Sequence, residues 1–419
     1  MSVQAQDLLR RMFDRAVEVA DPMRSLGADL PERPTGRVVV VGAGKASARM
    51  AEALEAAWGP CEGLVITRYG YGRPTQGIEI VEAAHPVPDS AGEVATQRML
   101  TLLGDLGEGD FVVALVSGGA SALLTAPAGD ITLAEKQEVN QKLLASGAPI
   151  GQMNVVRKHL SKVKGGQLAA AAYPASMLAL LISDVPGDDP ALIGSGPTVG
   201  DGSSSNDAKA ILQRWNIEVP ASVRAVLDGP SGVLPPQDEK ISRVTNVIFA
   251  APSQSLDAAA ALARESGCDV EILGDDLEGE ARDVAEAHAA LALERQKERS
   301  GDAAKPLILL SGGELTVTRR GDGVGGPNAE YALALASALK GTEGISAIAC
   351  DTDGVDGAAE VAGALIGPHT LAHAEKEGVS ADKALAENDA HRFFETIDAQ
   401  VVTGPTLTNV NDFRAIWIG

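Results

Sequence analysis

Five apolar runs in the sequence stop abruptly at short segments that contain glycine together with serine, lysine or aspartate. These segments are residues 42–47 (GAGKAS), 117–121 (SGGAS), 183–189 (SDVPGDD), 311–314 (SGGE) and 351–357 (DTDGVDG). Apolar, β-branched runs are typical of strands buried on both faces of a parallel sheet, and such sheets bind ligands beyond the carboxyl ends of their strands. Glycine lets backbone N–H groups approach an anion, while lysine and aspartate supply charge and metal ligands. The five segments therefore predict a site for a phosphorylated ligand and a divalent metal.

Lys45 lies where a helix is predicted to begin, although the positive end of a helix dipole repels a cation. An anionic ligand would explain a lysine there; the alternative is a surface lysine on an ordinary turn. The G-x-G-x-x-S spacing of residues 42–47 resembles a dinucleotide-binding fingerprint, but a serine replaces its third glycine. Thr67 and Arg68 stand where that fingerprint has an acidic residue. The sequence also has no P-loop pattern, so Lys45 is predicted to bind an anion outside both motifs.

The aspartates of the third and fifth segments form two groups. They are Asp184, Asp188 and Asp189, and Asp351, Asp353 and Asp356. Carboxylate oxygens suit Mg²⁺, which bridges to substrate phosphates more often than it fills an all-protein cage. The alternative is the common use of aspartate in turns and helix caps, and it stays open for at least half of the six.

Two other segments are candidates for phosphate binding. The backbone of residues 117–121 could wrap a phosphate, or the segment could be a tight turn that requires glycine. Residues 154–166 carry a cluster of cations, namely Arg157, Lys158, Lys162 and Lys164. In a chain of net charge −22 such a cluster could attract phosphates, although a solvated helix face is the alternative.

Composition excludes several classes of function. The net charge of −22 and an aromatic content of 3% argue against nucleic-acid binding, which needs a basic surface and often aromatic stacking. Cys61, Cys268 and Cys350 are odd in number and far apart, as expected for a protein of the reducing cytoplasm. The first twenty residues predict an amphipathic helix rather than a signal peptide, and no run is long enough to predict a membrane span. A homodimer is compatible with the sequence.

The order of the elements predicts alternating strands and helices, which is an α/β fold. Strands are predicted at residues 38–41, 64–67, 78–81, 111–116, 177–182, 247–250, 270–273, 307–310, 345–349 and 400–403. Helices are predicted at residues 46–58, 91–103, 133–146, 253–265, 279–299 and 328–339. A short antiparallel strand is expected near residues 316–320, and the apolar run 415–418 is expected to join a sheet. The stretch rich in proline, glycine and acid at residues 228–239 predicts a domain boundary, with domains at 1–243 and 244–419.

With these motifs in order, the chain resembles the glycerate 2-kinase family over nearly its whole length. The carriers are VVVVGAGKASARMA, HPVPD, SGGASALL, NVVRKHLSKVKGGQLA, ISDVPGDDPALIGSGPT, LLSGGELTV, DTDGVDG and GPTLTNVND. The resemblance implies an N-terminal glycerate kinase domain and a C-terminal MOFRL domain. It also implies ATP-dependent, Mg²⁺-dependent phosphorylation of D-glycerate at the 2-hydroxyl. We expect two Rossmann-like three-layer α/β domains with largely parallel sheets and the active site in the cleft between them.

The segments and the resemblance together predict the site residues. Catalytic roles are predicted for Lys45, Asp184, Asp351 and Asp353, and metal binding for Asp184, Asp189 and Asp351. Substrate or nucleotide binding is predicted for Gly42, Gly44, Ser47, Ser117, Gly118, Gly119, Ala120, Ser121, Arg157, Lys158, Ser311, Gly312, Gly313, Glu314 and Asn328. The partners expected are D-glycerate and ATP, with neither nucleic acid nor membrane.

The chain departs from the family pattern at one position. The family's Gly-Gly-Arg-Asn-Gln-Glu stretch reads GGPNAE here, so Pro327 replaces the arginine that members use. Arg319, Arg320 or Arg157 is a candidate substitute. Members of the family also carry the label hydroxypyruvate reductase, which makes an NAD(P)H-dependent reductase the alternative function. A non-catalytic module that binds sugar acids is a third alternative, but it would need none of the acidic segments.

Overall fold

The computed structural model describes residues 2–299, 305–357 and 359–419. Up to residue 250 the helices are α1 (Ser2–Ala20), α2 (Pro22–Ser25), α3 (Ser47–Trp58), α4 (Ser90–Gly104), α5 (Ala120–Leu123), α6 (Leu133–Ser146), α7 (Ile150–His159), α8 (Gln167–Ala172), α9 (Ser205–Arg214) and α10 (Ala221–Asp228). The strands of this part are β1 (Val38–Ala43), β2 (Glu62–Arg68), β3 (Ile78–Ala83), β4 (Phe111–Val116), β5 (Ser176–Ile182) and β6 (Val244–Ala250).

These six strands form one sheet in the order β3-β2-β1-β4-β5-β6. The pairings of β1 with β2 and β4, of β2 with β3, and of β4 with β5 are all parallel. All six residues of β1 are buried, as its run of valines predicts for a central strand. The strand order reverses between β1 and β4, and doubly wound sheets bind ligands at such a switch point. The segments GAGKAS and SGGAS follow these two strands, so the fold brings them to that point.

The second half of the chain builds a separate sheet. Its helices are α11 (Pro252–Glu265), α12 (Ala281–Glu298), α13 (Pro327–Leu339), α14 (Thr370–Lys376), α15 (Ala381–Ala386) and α16 (Ala390–Thr396). Its strands are β7 (Asp269–Gly274), β8 (Gly279–Glu280), β9 (Leu307–Ser311), β10 (Leu315–Thr316), β11 (Ile345–Asp351), β12 (Gly363–Ile366), β13 (Gln400–Val401) and β14 (Asp412–Ile418).

The α/β class is confirmed, but this second sheet differs from the expected parallel arrangement. Its order is β13-β12-β11-β14-β9-β7. The pairings of β11 with β12 and β14, of β12 with β13, and of β14 with β9 are antiparallel, whereas β7 and β9 are parallel. Apolar strands buried on both faces look alike in either orientation, so the local pattern could not reveal the direction of pairing. The short strand expected as antiparallel is β10, and it pairs in parallel with β8.

The chain divides into two compact units whose limits differ from the predicted division at residue 243. The N-terminal unit is Pro22–Asp184 with Asp188–Phe249, and the C-terminal unit is Ala250–Gly419 with residues 185–187 and 2–21. The boundary lies later than predicted because β6 completes the first sheet. Helix α1 belongs to the C-terminal unit because its apolar face packs there, where the ring centroid of Phe13 lies 5.8 Å from that of Phe413.

The three cysteines are free thiols in buried positions. Among the described residues, no helix combines the length and apolarity that crossing a bilayer requires.

Candidate ligand-binding site

The two segments at the switch point of the N-terminal sheet are hydrogen-bonded to each other. The backbone N–H of Lys45 donates to Gly118 O at 2.8 Å. The Ser47 hydroxyl donates to Leu115 O at 3.0 Å and lies 3.3 Å from the Ser117 hydroxyl. Ser47 and Ser117 are fully buried, so their hydroxyls join the two loops. This position corrects their predicted role in binding a ligand.

The glycines of GAGKAS are also explained by packing within the fold. Gly44 has φ +144°, and a Cβ atom built on it would lie 2.0 Å from Ser117 Oγ. A Cβ atom on Gly42 would lie 2.1 Å from Leu115 O. Thr67, at the position where a dinucleotide fingerprint has its acidic residue, is buried and donates its hydroxyl to Gly44 O at 3.1 Å. Nothing in this loop therefore matches the recognition of a nicotinamide dinucleotide.

Lys45, His85 and Gly119 converge at the same edge of the sheet. Gly119 has φ +82°, and a Cβ atom there would lie 3.1 Å from His85 Nε2 and 3.3 Å from Lys45 Cγ. Both the lysine and the histidine are half-buried. The N–H of Ala120 donates within the turn, to Ser117 O at 3.2 Å, so this predicted phosphate-binding amide is already used. The glycine thus leaves room for the stem of Lys45 and the imidazole group of His85.

A cavity of about 240 Å³ adjoins this edge and is lined by helices α6 and α7. One wall is apolar and consists of Val139, Leu143, Val156 and Leu160. The polar lining consists of His85, Ser121, Lys136, Asn140, Arg157 and Lys164. Because His85 and Gly119 line the cavity and also adjoin Lys45, the cavity and the lysine belong to one site.

Lys136 and Arg157 face this cavity without an ion pair to any carboxylate among the described residues. Arg157 donates to the amide oxygens of Asn140 at 2.9 Å and Asn154 at 3.3 Å. Burial lowers the pKa of Arg157, and burial together with the charge of Arg157 lowers the pKa of Lys136 to about 8. The opposing attraction of Glu93 is weaker than these effects. Two desolvated cations repel each other, and an anion bound between them would stabilise both.

Lys158 and Lys164 of the cluster have partners inside the protein, whereas Lys162 is exposed. Lys158 is buried and pairs with Asp201 at 2.5 Å. Burial alone would raise the pKa of Asp201, but hydrogen bonds from Lys158 and Ser203 lower it to about 2. Lys164 is 1% exposed and donates to backbone oxygens, including Ser121 O at 2.9 Å. The charge of Lys158 is thus neutralised within the fold, which counts against its predicted role in binding a ligand.

The aspartates after β5 are spread along an exposed loop. Asp184 is half-buried, whereas Asp189 is exposed and accepts a hydrogen bond from Ala191 N–H at 2.9 Å. That bond closes a local turn, which is the alternative role for aspartate and counts against Asp189 as a metal ligand. Among the described residues, no three His, Cys, Asp or Glu side chains converge as a metal cage.

The predicted residues at the carboxyl end of β9 belong to a buried network in the C-terminal unit. Arg414, which is 1% exposed, pairs with Asp412 at 2.9 Å and donates to the carbonyl oxygens of Gly312 and Gly313. Asn328 donates its side-chain amide to Asp412 Oδ1 at 2.6 Å. Ser311, Gly312, Gly313 and Asn328 are all buried, while Glu314 is exposed. These contacts within the fold count against ligand binding by the buried members, and their assignment stays a prediction.

The acidic loop after β11 divides into three roles. Asp356 accepts hydrogen bonds from the N–H groups of Asn328 at 3.0 Å and Ala329 at 2.8 Å, and so caps helix α13. Asp353 is fully buried and accepts a hydrogen bond from Val355 N–H at 2.8 Å. Asp351 is half-buried and accepts a hydrogen bond from Asp353 N–H at 2.9 Å, which is the same turn contact that Asp189 makes.

Pro327 replaces the family's arginine at the first position of α13, where proline is well suited to start a helix. Of the candidate substitutes, Arg319 and Arg320 are exposed and Arg157 lines the cavity.

Lys136 and His85 are site residues that the sequence analysis missed. Lys136 lies in the first turn of α6, where the helix dipole disfavours a cation just as it does at Lys45. That was the available signal, but a lysine in a polar helix is otherwise unremarkable. His85 opens the HPVPD motif of the resemblance, but the motif by itself assigned no role to the histidine.

Comparisons with known proteins cover almost the whole chain. Residues 8–228 match a family model described as a domain of unknown function, DUF4147, and residues 307–412 match the MOFRL family. A protein of Agrobacterium vitis named "Putative hydroxypyruvate reductase" is 51% identical over 421 residues, which cover 100% of this chain and 95% of that protein. The D-glycerate 2-kinase of Thermotoga maritima is 37% identical over 401 residues, which cover 95% and 94% of the two chains. The crystal structure of a glycerate kinase from the same organism superposes with a TM-score of 0.87 at 37% identity and covers 99% of this chain and 100% of that one.

Proposed function

Because the chain belongs to the glycerate 2-kinase family, we propose that it transfers the γ-phosphoryl group of ATP to the 2-hydroxyl of D-glycerate. The products would be 2-phosphoglycerate and ADP. The observation that carries this proposal is the cavity in which Lys136 and Arg157 have no carboxylate partner among the described residues, and which adjoins Lys45. Phosphoryl transfer depends on positioning and charge neutralisation, and uncompensated cations supply both.

In the proposed reaction the 2-hydroxyl oxygen of D-glycerate attacks the γ-phosphorus. The bond from that phosphorus to the bridging oxygen of the β-phosphate breaks, and ADP leaves. Lys45 would contact the transferring phosphoryl group, since its stem is held beside Gly119 and its ammonium can stabilise the charge on the equatorial oxygens. Asp184 is the proposed acceptor of the hydroxyl proton, because it is a half-buried carboxylate at the carboxyl end of the same sheet.

The donor atoms agree with Mg²⁺ held mainly by phosphate and water oxygens. The described residues form no cage of three protein ligands, so one or two carboxylates would hold the ion, as is common for Mg²⁺ in kinases. Asp184 is a half-buried carboxylate of the unit that also contains Lys45 and the cavity, and it is the proposed ligand. When bound, the ion would neutralise charge on the β- and γ-phosphates.

The alternative function, reduction of hydroxypyruvate, is favoured by the name of the relative from Agrobacterium vitis. One contact counts against it. Thr67 stands where a dinucleotide site has its acidic residue, and its hydroxyl is bonded to Gly44 O, so no acidic group is available there for a ribose.

One experiment separates the two functions. The protein is incubated with ATP, Mg²⁺ and D-glycerate, and the position of the phosphate in the product is read by ³¹P and ¹³C NMR. A parallel sample receives hydroxypyruvate and NADPH, with oxidation followed at the nicotinamide absorbance. We expect 2-phosphoglycerate in the first sample and no oxidation in the second. NADPH oxidation without any phosphorylated product would replace the kinase by the reductase. Full kinase activity after exhaustive EDTA treatment would refute the role of Mg²⁺.

A further inference from the structure

The cavity between α6 and α7 combines an apolar wall with cations at one side, and this combination distinguishes the two proposed substrates. Val139, Leu143 and Val156 are buried core residues whose edges form the wall. D-glycerate carries a carboxylate and two hydroxyls on three carbons, so it has almost no apolar surface to place there. A purine base has two apolar faces, and the attached phosphates need cations. The lining therefore matches a nucleotide.

The exposed rim of the cavity supports the same match. Leu144 is 58% exposed at the mouth, and Ile150, at the start of α7, is 53% exposed nearby in sequence. An exposed leucine at the mouth of a pocket gains stability when a flat apolar group covers it. Both residues flank the turn at Gly147 that joins the two helices lining the cavity.

The polar groups of the cavity include cations and a hydroxyl that phosphates could contact. Arg157 and Lys136 line the cavity together with Ser121, and Gly119, which also lines it, adjoins the stem of Lys45. Ser121 is half-buried, and its hydroxyl lies 2.8 Å from that of Ser195. A nucleotide whose phosphates contact the two cations would therefore lie in a cavity that adjoins Lys45 through Gly119.

On these observations we infer that the α6–α7 cavity is the nucleotide subsite, with the base of ATP or ADP against Val139, Leu143 and Leu144 and its phosphates on Arg157 and Lys136. D-glycerate then binds outside this cavity. The inference rests on the proposed kinase function and assigns one of its two substrates to a place.

The test uses Leu144→Asp in the full-length protein, with Ala145→Asp as the matched control. Ala145 is exposed, lies next to Leu144 on α6 and does not line the cavity, so it receives the same charge at the same helix without altering the wall. The probe is ADP in the absence of D-glycerate, titrated by isothermal calorimetry. A carboxylate at the mouth removes apolar contact and repels phosphates. We expect Leu144→Asp to weaken ADP about tenfold or more, which is ~1.4 kcal/mol, and the control to stay within about twofold.

Steady-state kinetics then separate the two substrates. At saturating ATP, Leu144→Asp should leave the KM for D-glycerate within about twofold of the wild type. An unchanged ADP affinity, or a raised KM for D-glycerate with normal ADP binding, overturns the inference and leaves the kinase function intact. The wild type could instead bind ADP, lose that binding in Leu144→Asp, and form no phosphoglycerate. That result would overturn the proposed reaction and keep the nucleotide subsite. Arg157→Gln, which leaves the apolar wall intact, provides a second variant and should also weaken ADP.

Discussion

Arg414 is buried and Arg157 is half-buried, and the groups that contact their charges differ. Arg414 is paired with Asp412 at 2.9 Å, and its guanidinium carbon lies 5.7 Å from the centre of the Tyr331 ring. Among the described residues, Arg157 donates hydrogen bonds only to amide oxygens, those of Asn140 and Asn154. Amide oxygens orient a guanidinium group and leave its charge uncompensated. A buried cation that the fold neutralises holds the fold together, whereas one that the fold only orients is available to a ligand.

The largest effect is expected for Arg414→Met. Removal of the guanidinium leaves Asp412 buried without its counter-ion and frees the carbonyl oxygens of Gly312 and Gly313. Breaking a buried pair in this way typically costs about 3–5 kcal/mol. The free energy of unfolding, measured with urea, should fall by that amount. Arg157→Met is the matched control and should keep or slightly gain stability, since it removes an unpaired desolvated charge. Equal losses in both variants would remove the distinction between the two arginines.

The next effect concerns the rate of reaction. Lys45→Met keeps most of the side-chain volume and removes the charge proposed to face the transferring phosphoryl group. Loss of one such contact typically lowers kcat ~10²–10³-fold. Turnover is measured at saturating substrates, and thermal melting of the ligand-free protein checks the fold. Lys162→Met serves as the control because Lys162 is exposed in the same unit. Near-normal turnover of Lys45→Met would contradict the catalytic role of Lys45 and make Arg157 the next candidate for that role.

Neighbouring cations of α7 provide a sharper test of the same comparison. Arg157→Gln should weaken ADP about 10–100-fold, because a hydrogen bond to a charged group is worth about 1.5–3 kcal/mol. Lys158→Gln should leave ADP affinity unchanged and lower stability, since Asp201 loses its partner. Calorimetric titration gives the ADP affinity of each variant, and urea unfolding gives its free energy of unfolding. The opposite pattern, with ADP weakened by Lys158→Gln, would show that internal pairing does not identify structural cations here.

The smallest effect is a dependence on pH. Burial and the charge of Arg157 lower the pKa of Lys136 to about 8, and the charge of Glu93 opposes this shift. Lys164 lies near enough that burial and the charge of Lys136 lower its own pKa. Its ammonium is present below pH 8 and lost above it, so ADP affinity should fall as pH rises, at most about tenfold between pH 7 and pH 9. Lys136→Arg keeps its charge in this range and should flatten the profile. An unchanged slope in that variant would assign the titration to another group.

The sequence predicted the strands of the N-terminal sheet well because each strand is a short apolar run that can be recognised without its neighbours. The strand at residues 111–116 was predicted with its observed bounds, and the other four parallel strands were placed within two residues of each observed end. The C-terminal sheet was harder, since pairing direction depends on which strands meet. The final run, residues 415–418, was rightly expected in a sheet, but its central place between β11 and β9 follows only from tertiary packing.

The site was predicted less well than the fold, for a related reason. Arg157 and Lys158 are adjacent in sequence and look equivalent there. Their difference arises from Asp201, a residue far along the chain that reaches one and not the other. Likewise, the serines of the two N-terminal loops have the right type for phosphate binding, yet each loop uses them to hold the other. Residue type predicts which groups can bind an anion, and tertiary contacts decide which are still available.

The membership of α1 in the C-terminal unit has a consequence for how the protein is made. Leu9, Met12 and Phe13 are fully buried against a core that includes Phe413 and Ala415. During translation these apolar side chains leave the ribosome long before their partners, while the whole N-terminal unit is synthesised. At about 5–20 residues per second, the interval is on the order of 20 to 80 s. Residues of α11 in the same core, Leu256 and Ala259 among them, are synthesised earlier, but the core that covers α1 is complete only when β14 has been made.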